Sequence, residues 1–392
     1  MSRINAAAAA VLVVCAGLLS GCRWIPITDL QDRAIVQGVG VDWKNDEYMV
    51  TMQVFSPEGS GGQTIVDPSK ENAKIITCRG ASISQAVANS AKDQGKEFYL
   101  GHNRVVILGG GTWKRPMQET LSYFGNSPDS RLDVTILATP GEASAILDVG
   151  ISQTILPAMS IENTVRNAEK SGLSAEILLV DVIQALTQPH RSAVIPIIEP
   201  MEKENSEKRD LRAIELTGIG IFSQSENEGM LKGAAARGLL FLRNEIQSVL
   251  YPVQSEDYER ATVELYQSRT KIIPQVSKDH LHFHVEIAAE GMLVEKFLRE
   301  EKEFTIQSLF RLEREVERQI ETDCREAWQK SGKESHSDVF FLGDLVWNDQ
   351  PELWKALRTE WKDRLDQITF EYAVHVDIDR AGMQGLVAAG EG

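Results

Sequence analysis

Ala34-Ile35-Val36-Gln37-Gly38-Val39-Gly40-Val41 and Tyr48-Met49-Val50-Thr51-Met52-Gln53-Val54-Phe55 place apolar residues in alternation on either side of a polar turn, Lys44-Asn45-Asp46-Glu47. A period of two sends successive side chains to opposite faces of a pleated strand, so these runs predict a β-hairpin and a sheet at the start of the fold. Working outward, short apolar runs at 74–78, 103–108 and 132–138 read as strands. Between them, 82–94 spaces Ile83, Ala86, Val87 and Ala91 along one helix face, and helices are also predicted at 117–124 and 141–147. Strands interleaved with helices imply a mixed α/β layer. Residues 56–74 hold Pro57, Gly59, Gly61, Gly62 and Pro68 and are expected to form an exposed, mobile loop and a contact surface.

Farther on, 153–170 and 175–187 read as helices, and 193–198 is an apolar segment bounded by Pro196 and Pro200. Residues 201–210 are almost all polar or charged, which marks a linker near a domain boundary. Beyond it, alternation at 216–222 and a turn at 225–229 predict another hairpin. A helix near 238–248 and strands at 262–273 and 280–287 follow. In the long helix predicted at 305–330, Leu309, Leu312, Val316, Ile320 and Ala327 share a face. Pro351 suits the first turn of a helix that aligns Trp354, Leu357, Trp361 and Leu365, and 368–378 closes with strict alternation. Strands and helices come in blocks here, so this half is expected to be α+β, with a largely antiparallel sheet and long helices packed on one face. The organisation predicted is a mixed, multi-domain α+β chain: a signal segment at 1–21, an α/β domain at 22–150, a helical middle region with a charged linker at 151–210, and an α+β domain at 211–385.

With 392 residues the chain exceeds one ordinary core. Its 42% hydrophobic and 25% charged residues suit a folded globular body. The formal charge is -16, and Arg3 is the only charged side chain among the first 21 residues, so their removal leaves -17. Such a body repels nucleic acid and anionic headgroups, and no nucleic-acid partner is expected. Among four cysteines, Cys15 lies in the signal segment. Cys78 and Cys324 read as isolated buried thiols in preference to a disulfide.

The amino terminus carries the most specific motif. Arg3 precedes an apolar run from residue 6 to 19, which closes on Leu19-Ser20-Gly21-Cys22. The run is shorter than the ~20 residues of a membrane-spanning helix and reads as the core of a secretion signal. Small residues before a thiol suit cleavage after Gly21 and a diacylglycerol on Cys22, and two or more acyl chains hold a membrane far more firmly than one. The expected location is therefore the outer face of the cell membrane, tethered through Cys22.

Other candidate chemistry is outweighed by plainer readings. His280, His282 and His284 fall on one face of a predicted strand, a spacing that could ligate zinc, but the opposite face is apolar and a half-solvated sheet surface explains them. Gly109-Gly110-Gly111 sits between strand and helix as a phosphate loop would. Arg115 stands where the last glycine of a dinucleotide fingerprint belongs and no Gly-Lys-Ser/Thr follows, so a plain turn is expected. No Gly-x-Ser-x-Gly elbow is present, and nothing near Cys78 marks it as activated. The acids of 313–321 alternate with Arg311, Arg314 and Arg318 and read as a solvated salt-bridged face, while Trp354 and Trp361 read as core. No catalytic residue, metal or cofactor is indicated, and the chain is not expected to be an enzyme.

The order of these features resembles the Ger(x)C family, the lipoprotein C subunits of nutrient germinant receptors in endospore-forming bacteria. The residues that carry the resemblance are Leu19-Ser20-Gly21-Cys22-Arg23-Trp24, the run from Asp29 to Asp42, Gly101-His102-Asn103-Arg104-Val105-Val106-Ile107-Leu108-Gly109, Thr217-Gly218-Ile219-Gly220-Ile221-Phe222, and the closing run through Pro351, Trp354, Lys355 and Trp361. Arg23-Trp24 after the lipid cysteine and Ala234-Ala235-Ala236-Arg237-Gly238 depart from the family's usual pattern. The resemblance implies a three-domain α/β fold without enzymatic activity, tethered to the inner spore membrane and assembled with multi-span membrane A and B subunits. It carries over Cys22 alone as a site. The alternative from another class is a solute-binding lipoprotein of an importer, which would have two lobes of mostly parallel sheet around a cleft.

Overall fold

A computed structural model describes residues 33–56, 72–148, 157–169, 171–201 and 213–379. The opening hairpin pairs β1 (Arg33–Lys44) with β2 (Glu47–Phe55), Lys44 standing opposite Glu47. Asn45 and Asp46 both take positive φ, 55° and 60°, the type I′ turn whose twist matches that of the flanking strands. On β2 lies β3 (Ala73–Gly80), antiparallel. Helix α1 (Ile83–Gln94) starts where the Ser82 hydroxyl accepts from the Gln85 N–H and stops at Gly95, whose φ is +65°. Then β4 (Glu97–Tyr99) and β5 (Val105–Gly109) run parallel to β1, and helix α2 (Met117–Asn126) leads to β6 (Thr135–Thr139).

Three helices follow: α3 (Ala143–Leu147), α4 (Pro157–Glu169) and α5 (Leu179–Leu186). The helix predicted at 175–187 is shorter, because Leu178 is extended and bridges Thr135, and the Leu179 N–H donates to the Val134 carbonyl. Strand β7 (Ala193–Met201) contains Pro196 and Pro200 within it. It pairs antiparallel with β8 (Ala213–Phe222), which carries β9 (Asn227–Leu231). The resulting nine-stranded sheet has the order β3-β2-β1-β5-β6-β7-β8-β9, with β4 beside β1. Hydrogen bonding therefore continues from β7 to β8 across the polar stretch at 202–212.

The mixed α/β class stands, but the large sheet has helices on both faces. Val106, Leu108, Ile136 and Ala138 join the core beneath α2 and α5, whereas Val105, Ile107 and Leu137 join a second cluster with Ile146 of α3 and Ile161 of α4. Strands with parallel neighbours reached through helical crossovers are covered on both sides, and their near-continuous burial follows.

The second sheet has the order β10-β11-β12-β13. Helix α6 (Ala234–Leu242) precedes β10 (Val249–Val253), β11 (Tyr258–Val276) and β12 (Leu281–Leu298), β11 running antiparallel to both of the others. Helix α7 (Ile306–Trp328) is capped by Thr305, whose hydroxyl accepts from the Ser308 N–H, and runs on into a π-helical turn, Gln329–Glu334. After α8 (Leu342–Asp349) and α9 (Pro351–Leu357), β13 (Thr369–Asp379) returns beside β12. This last pairing is parallel, with His282 opposite Thr369, because the helical excursion carries the chain back to the start of β12 before β13 begins. Leu309, Leu312, Val316, Ile320 and Ala327 are all buried on the inner face of α7 as the period predicts, each leucine, isoleucine or valine contributing about 2 kcal/mol of burial. The helix predicted through Leu365 breaks after Leu357, and Trp361 and Leu365 reach the core through a 3-10 turn instead.

Candidate functional site

A cleft of about 400 Å³ lies where the first half of the chain meets the second. Its walls come from α5, the entry to β7, the segment after α6, and Phe341. Phe341 adopts φ +58°, a left-handed conformation that costs a bulky residue about 1 kcal/mol or more. It is held there by its neighbours. The buried Asp338 carboxylate accepts from the N–H groups of Leu342 and Gly343 and from the Trp361 indole, each at 2.9 Å, and so fixes the start of α8. Burial pushes the Asp338 pKa up despite these donors.

Two guanidiniums flank the Phe341 ring, Arg191 and Arg243, each 5.1 Å from its centroid. Arg191 grips Asp344 with two bonds of 2.7 and 2.8 Å, and His190 adds a third bond at 3.4 Å. Burial raises the Asp344 pKa, but the bonds from His190 and Arg191 outweigh it and leave the carboxyl below its ordinary value. On the other side Arg243 donates to Glu245 at 2.7 Å and to the Val339 carbonyl at 2.9 Å. The second oxygen of Glu245 is buried and has no partner among the described residues. Glu176 and Asp181 add acidic character to the opposite wall.

Both cations are thus already neutralised by carboxylates, and among the cleft residues no hydroxyl or thiol stands beside a base as a nucleophile would require. The arrangement does mechanical work: it locks the entry of β7 to the start of α8. The Ser192 N–H donates to the Asp338 carbonyl at 3.1 Å, and Glu228 accepts from Ser192, from Lys362 at 3.3 Å and, closely, from Ser337. A second buried joint couples α6 to α7. Asp323 accepts from Arg237 at 2.9 and 3.2 Å and from the Tyr251 hydroxyl at 2.8 Å, while Gly238 lies against the Asp323 carbonyl.

Of the residues singled out in the sequence, Cys22 and Gly21 lie outside the described residues, as does most of the 56–74 loop. Cys78 and Cys324 are free, buried and apart. Burial pushes the Cys78 thiol up to about 11 and raises Cys324 as well, so neither is a thiolate near neutrality. His282 and His284 are half-buried on the outer face of the second sheet, where they meet Thr369 at 2.9 Å and Glu371 at 3.3 Å. His280 precedes the strand and stacks on His282. Among the described residues no group of three or more His, Cys, Asp or Glu side chains has the arrangement to hold a metal ion.

Gly109-Gly110-Gly111 forms a turn, as expected. A Cβ on these residues would fall 1.8 Å from an Asp42 oxygen, 2.2 Å from the Pro140 carbonyl oxygen and 2.2 Å from the Trp43 carbonyl oxygen, so packing against β1 explains Gly109 and Gly111 and packing against the end of β6 explains Gly110. Asp42 caps α3 by accepting from the Ala143 and Ser144 N–H groups at 2.8 and 3.2 Å. Trp354 and Trp361 are core, edge-to-face at 5.2 Å. Sequence reasoning missed the Arg191-Phe341-Arg243 clamp. The only available signal was a pair of isolated arginines, since Arg191 and Asp344 are 153 residues apart.

Comparison with known proteins agrees across both halves. Residues 27–200 match the family described as spore germination protein N-terminal domain, and residues 217–382 match spore germination B3/GerAC-like, C-terminal. Spore germination protein B3 of Bacillus subtilis (strain 168) is 24% identical over 373 residues, covering 94% of this chain and 96% of its own. Spore germination protein KC of the same strain is 21% identical over 388 residues, covering 94% and 93%. The crystal structure of the GerBC protein shares the fold, with a TM-score of 0.52, 20% identity, and coverage of 87% of this chain and 96% of that one.

Proposed function

Because the chain belongs to the Ger(x)C family of spore germination proteins, we propose that it is the non-catalytic, lipid-anchored C subunit of a nutrient germinant receptor. It is held through Cys22 at the outer face of the inner spore membrane and assembled there with the multi-span A and B subunits. The observation that carries this is the match of both halves, in order, over nearly the whole length of curated spore germination proteins. Two features support a coupling role. The polar joint at Arg191-Asp344 ties the halves together, the joint at Arg237-Asp323 stiffens the second half behind it, and the cleft between the halves has its cations already paired. Among the described residues no helix is long and apolar enough to cross a membrane, which leaves the Leu19-Ser20-Gly21-Cys22 motif as the feature that supports an anchor. The solute-capture alternative expects two lobes of mostly parallel sheet, whereas one sheet here is continuous from the first half into the second and the other is mainly antiparallel.

The test is germination of spores lacking this chain, followed by optical density in several nutrients and in calcium-dipicolinate, which bypasses receptors. Selective loss of one nutrient response is expected. A normal response in every nutrient, persisting after the other receptor sets are deleted, would reject the assignment. Separately, Cys22→Ala is expected to abolish lipid labelling and release the protein from membranes; labelling that persists would remove Cys22 as the anchor.

A further inference from the structure

The outer edge of β13 is divided into two unlike halves. Val376 and Ile378 direct their N–H groups away from β12, where Glu317 and Glu313 of α7 accept them at 3.0 and 3.2 Å. Residues of one parity along a strand point their N–H and C=O groups to the same side, so Phe370, Tyr372 and Val374 also face outward. β13 ends its sheet, and no bond to these three outward backbone groups occurs among the described residues. One half of the edge is thus closed by carboxylates, as proteins commonly blunt exposed edges, and the other is left open.

Beside the open half lies a cavity of about 280 Å³ between β13 and the end of α7. Trp328 is 4% exposed, yet among the described residues its indole N–H has no acceptor, and the buried Tyr372 hydroxyl has no partner there either. Both residues line this cavity. Burial keeps the Tyr372 pKa far above neutrality, so the hydroxyl stays a donor. Buried donors of this kind normally find an acceptor. Arg325, Lys333, Gln329 and Thr369 complete the polar lining, which contains no carboxylate. Arg325 is shared with Glu321 and lies 4.8 Å over the Tyr372 ring, while Lys333 forms no ion pair among the described residues. In a chain of formal charge -16 this is a locally cationic, donor-rich corner. It is shaped by the π-helical turn, which Gly332 lets close over the Trp328 ring, since a Cβ there would fall 2.4 Å from it.

We propose that the open half of the β13 edge docks an extended segment of a partner protein by strand addition, with an acidic side chain of that segment seated in the cavity beside Trp328 and Tyr372. The main-chain pairs at 370, 372 and 374 would bind the strand over about 17 Å, and the carboxylate would supply the acceptor that the indole and phenol lack.

The probe is a set of capped heptapeptides of alternating threonine and valine with one glutamate in each of three registers, added to the full chain labelled with 15N in its tryptophan indoles. The Trp328 N–H signal, identified by its loss in Trp328→Phe, is expected to shift saturably with at least one glutamate peptide and about tenfold more weakly with its glutamine counterpart. Val374→Pro removes an outward N–H and leaves the ladder to β12 intact, so it should abolish the response in a protein that remains folded at the assay temperature, as its melting curve checks. Lys333→Glu, on the exposed turn, should weaken it at least about tenfold. No shift in any register, equal binding of the glutamine peptide, or an undiminished response in Lys333→Glu would each overturn the proposal.

Discussion

Gly238→Ala tests how α6 is seated on α7. A Cβ at this position would lie 2.0 Å from the Asp323 carbonyl oxygen and 2.7 Å from the Cys324 nitrogen, where real Cβ atoms keep at least 3.0 Å. The obstructing atoms are backbone, so relief requires the helices to part by about 1 Å, which also loosens the Arg237-Asp323-Tyr251 joint. Overpacking of this kind costs about 1–3 kcal/mol, and breaking a buried charged hydrogen bond about as much again. Against this, alanine gains about 1 kcal/mol over glycine inside a helix. The net expectation is a loss of about 2 kcal/mol, a fall in melting temperature of about 4 °C or more. Gly125→Ala in α2 supplies the control, because only the Ile183 methyl lies within range, at 3.9 Å. The same propensity gain should there appear unopposed, as a stabilisation of about 0.5–1 kcal/mol. Urea unfolding followed by tryptophan fluorescence reads both variants. If Gly238→Ala matched Gly125→Ala in sign, the close approach of α6 to α7 would be refuted.

Three further outcomes follow from the buried polar joints. Trp361→Phe deletes the indole donor to Asp338 and should cost about 2–3 kcal/mol, measured by the urea midpoint, because a buried carboxylate loses one of its three partners. Asp344 has a folded pKa below its unfolded one, so its stabilisation is fully present above the ordinary carboxylate value and is lost as pH falls through the folded value; the gap in melting temperature between the native protein and Asp344→Asn should be widest near neutrality and close below about pH 4. The raised carboxyls of Asp42, Asp323 and Asp338 contribute in the opposite sense but are common to both proteins and cancel in that difference. Iodoacetamide at about pH 8 should leave Cys78 and Cys324 unmodified in the native protein and label both after unfolding in guanidinium, and rapid native labelling of either would contradict its burial.

Local period carried much of the fold. Alternation in 34–55 specified the first hairpin, down to an Asn-Asp turn whose left-handed residues suit its hand, and the 3.6-residue spacing from Leu309 to Ala327 specified which face of α7 is buried. The family was likewise legible, because short motifs sit at fixed places in the chain, and the proposed anchor at Cys22 rests on such a motif alone. Periodicity reports which side of an element is apolar and is silent about its neighbours. It could not show that β7 and β8 join one sheet across 202–212, that β13 lies parallel to β12, or that Glu313 and Glu317 serve the β13 edge where a solvated face was expected. The clamp on Phe341 and the open edge by Trp328 depend on groups that meet only after the chain has closed, 153 residues apart in the case of Arg191 and Asp344. Burial strengthens such bonds and penalises any group left without one, and burial is a property of the tertiary structure alone.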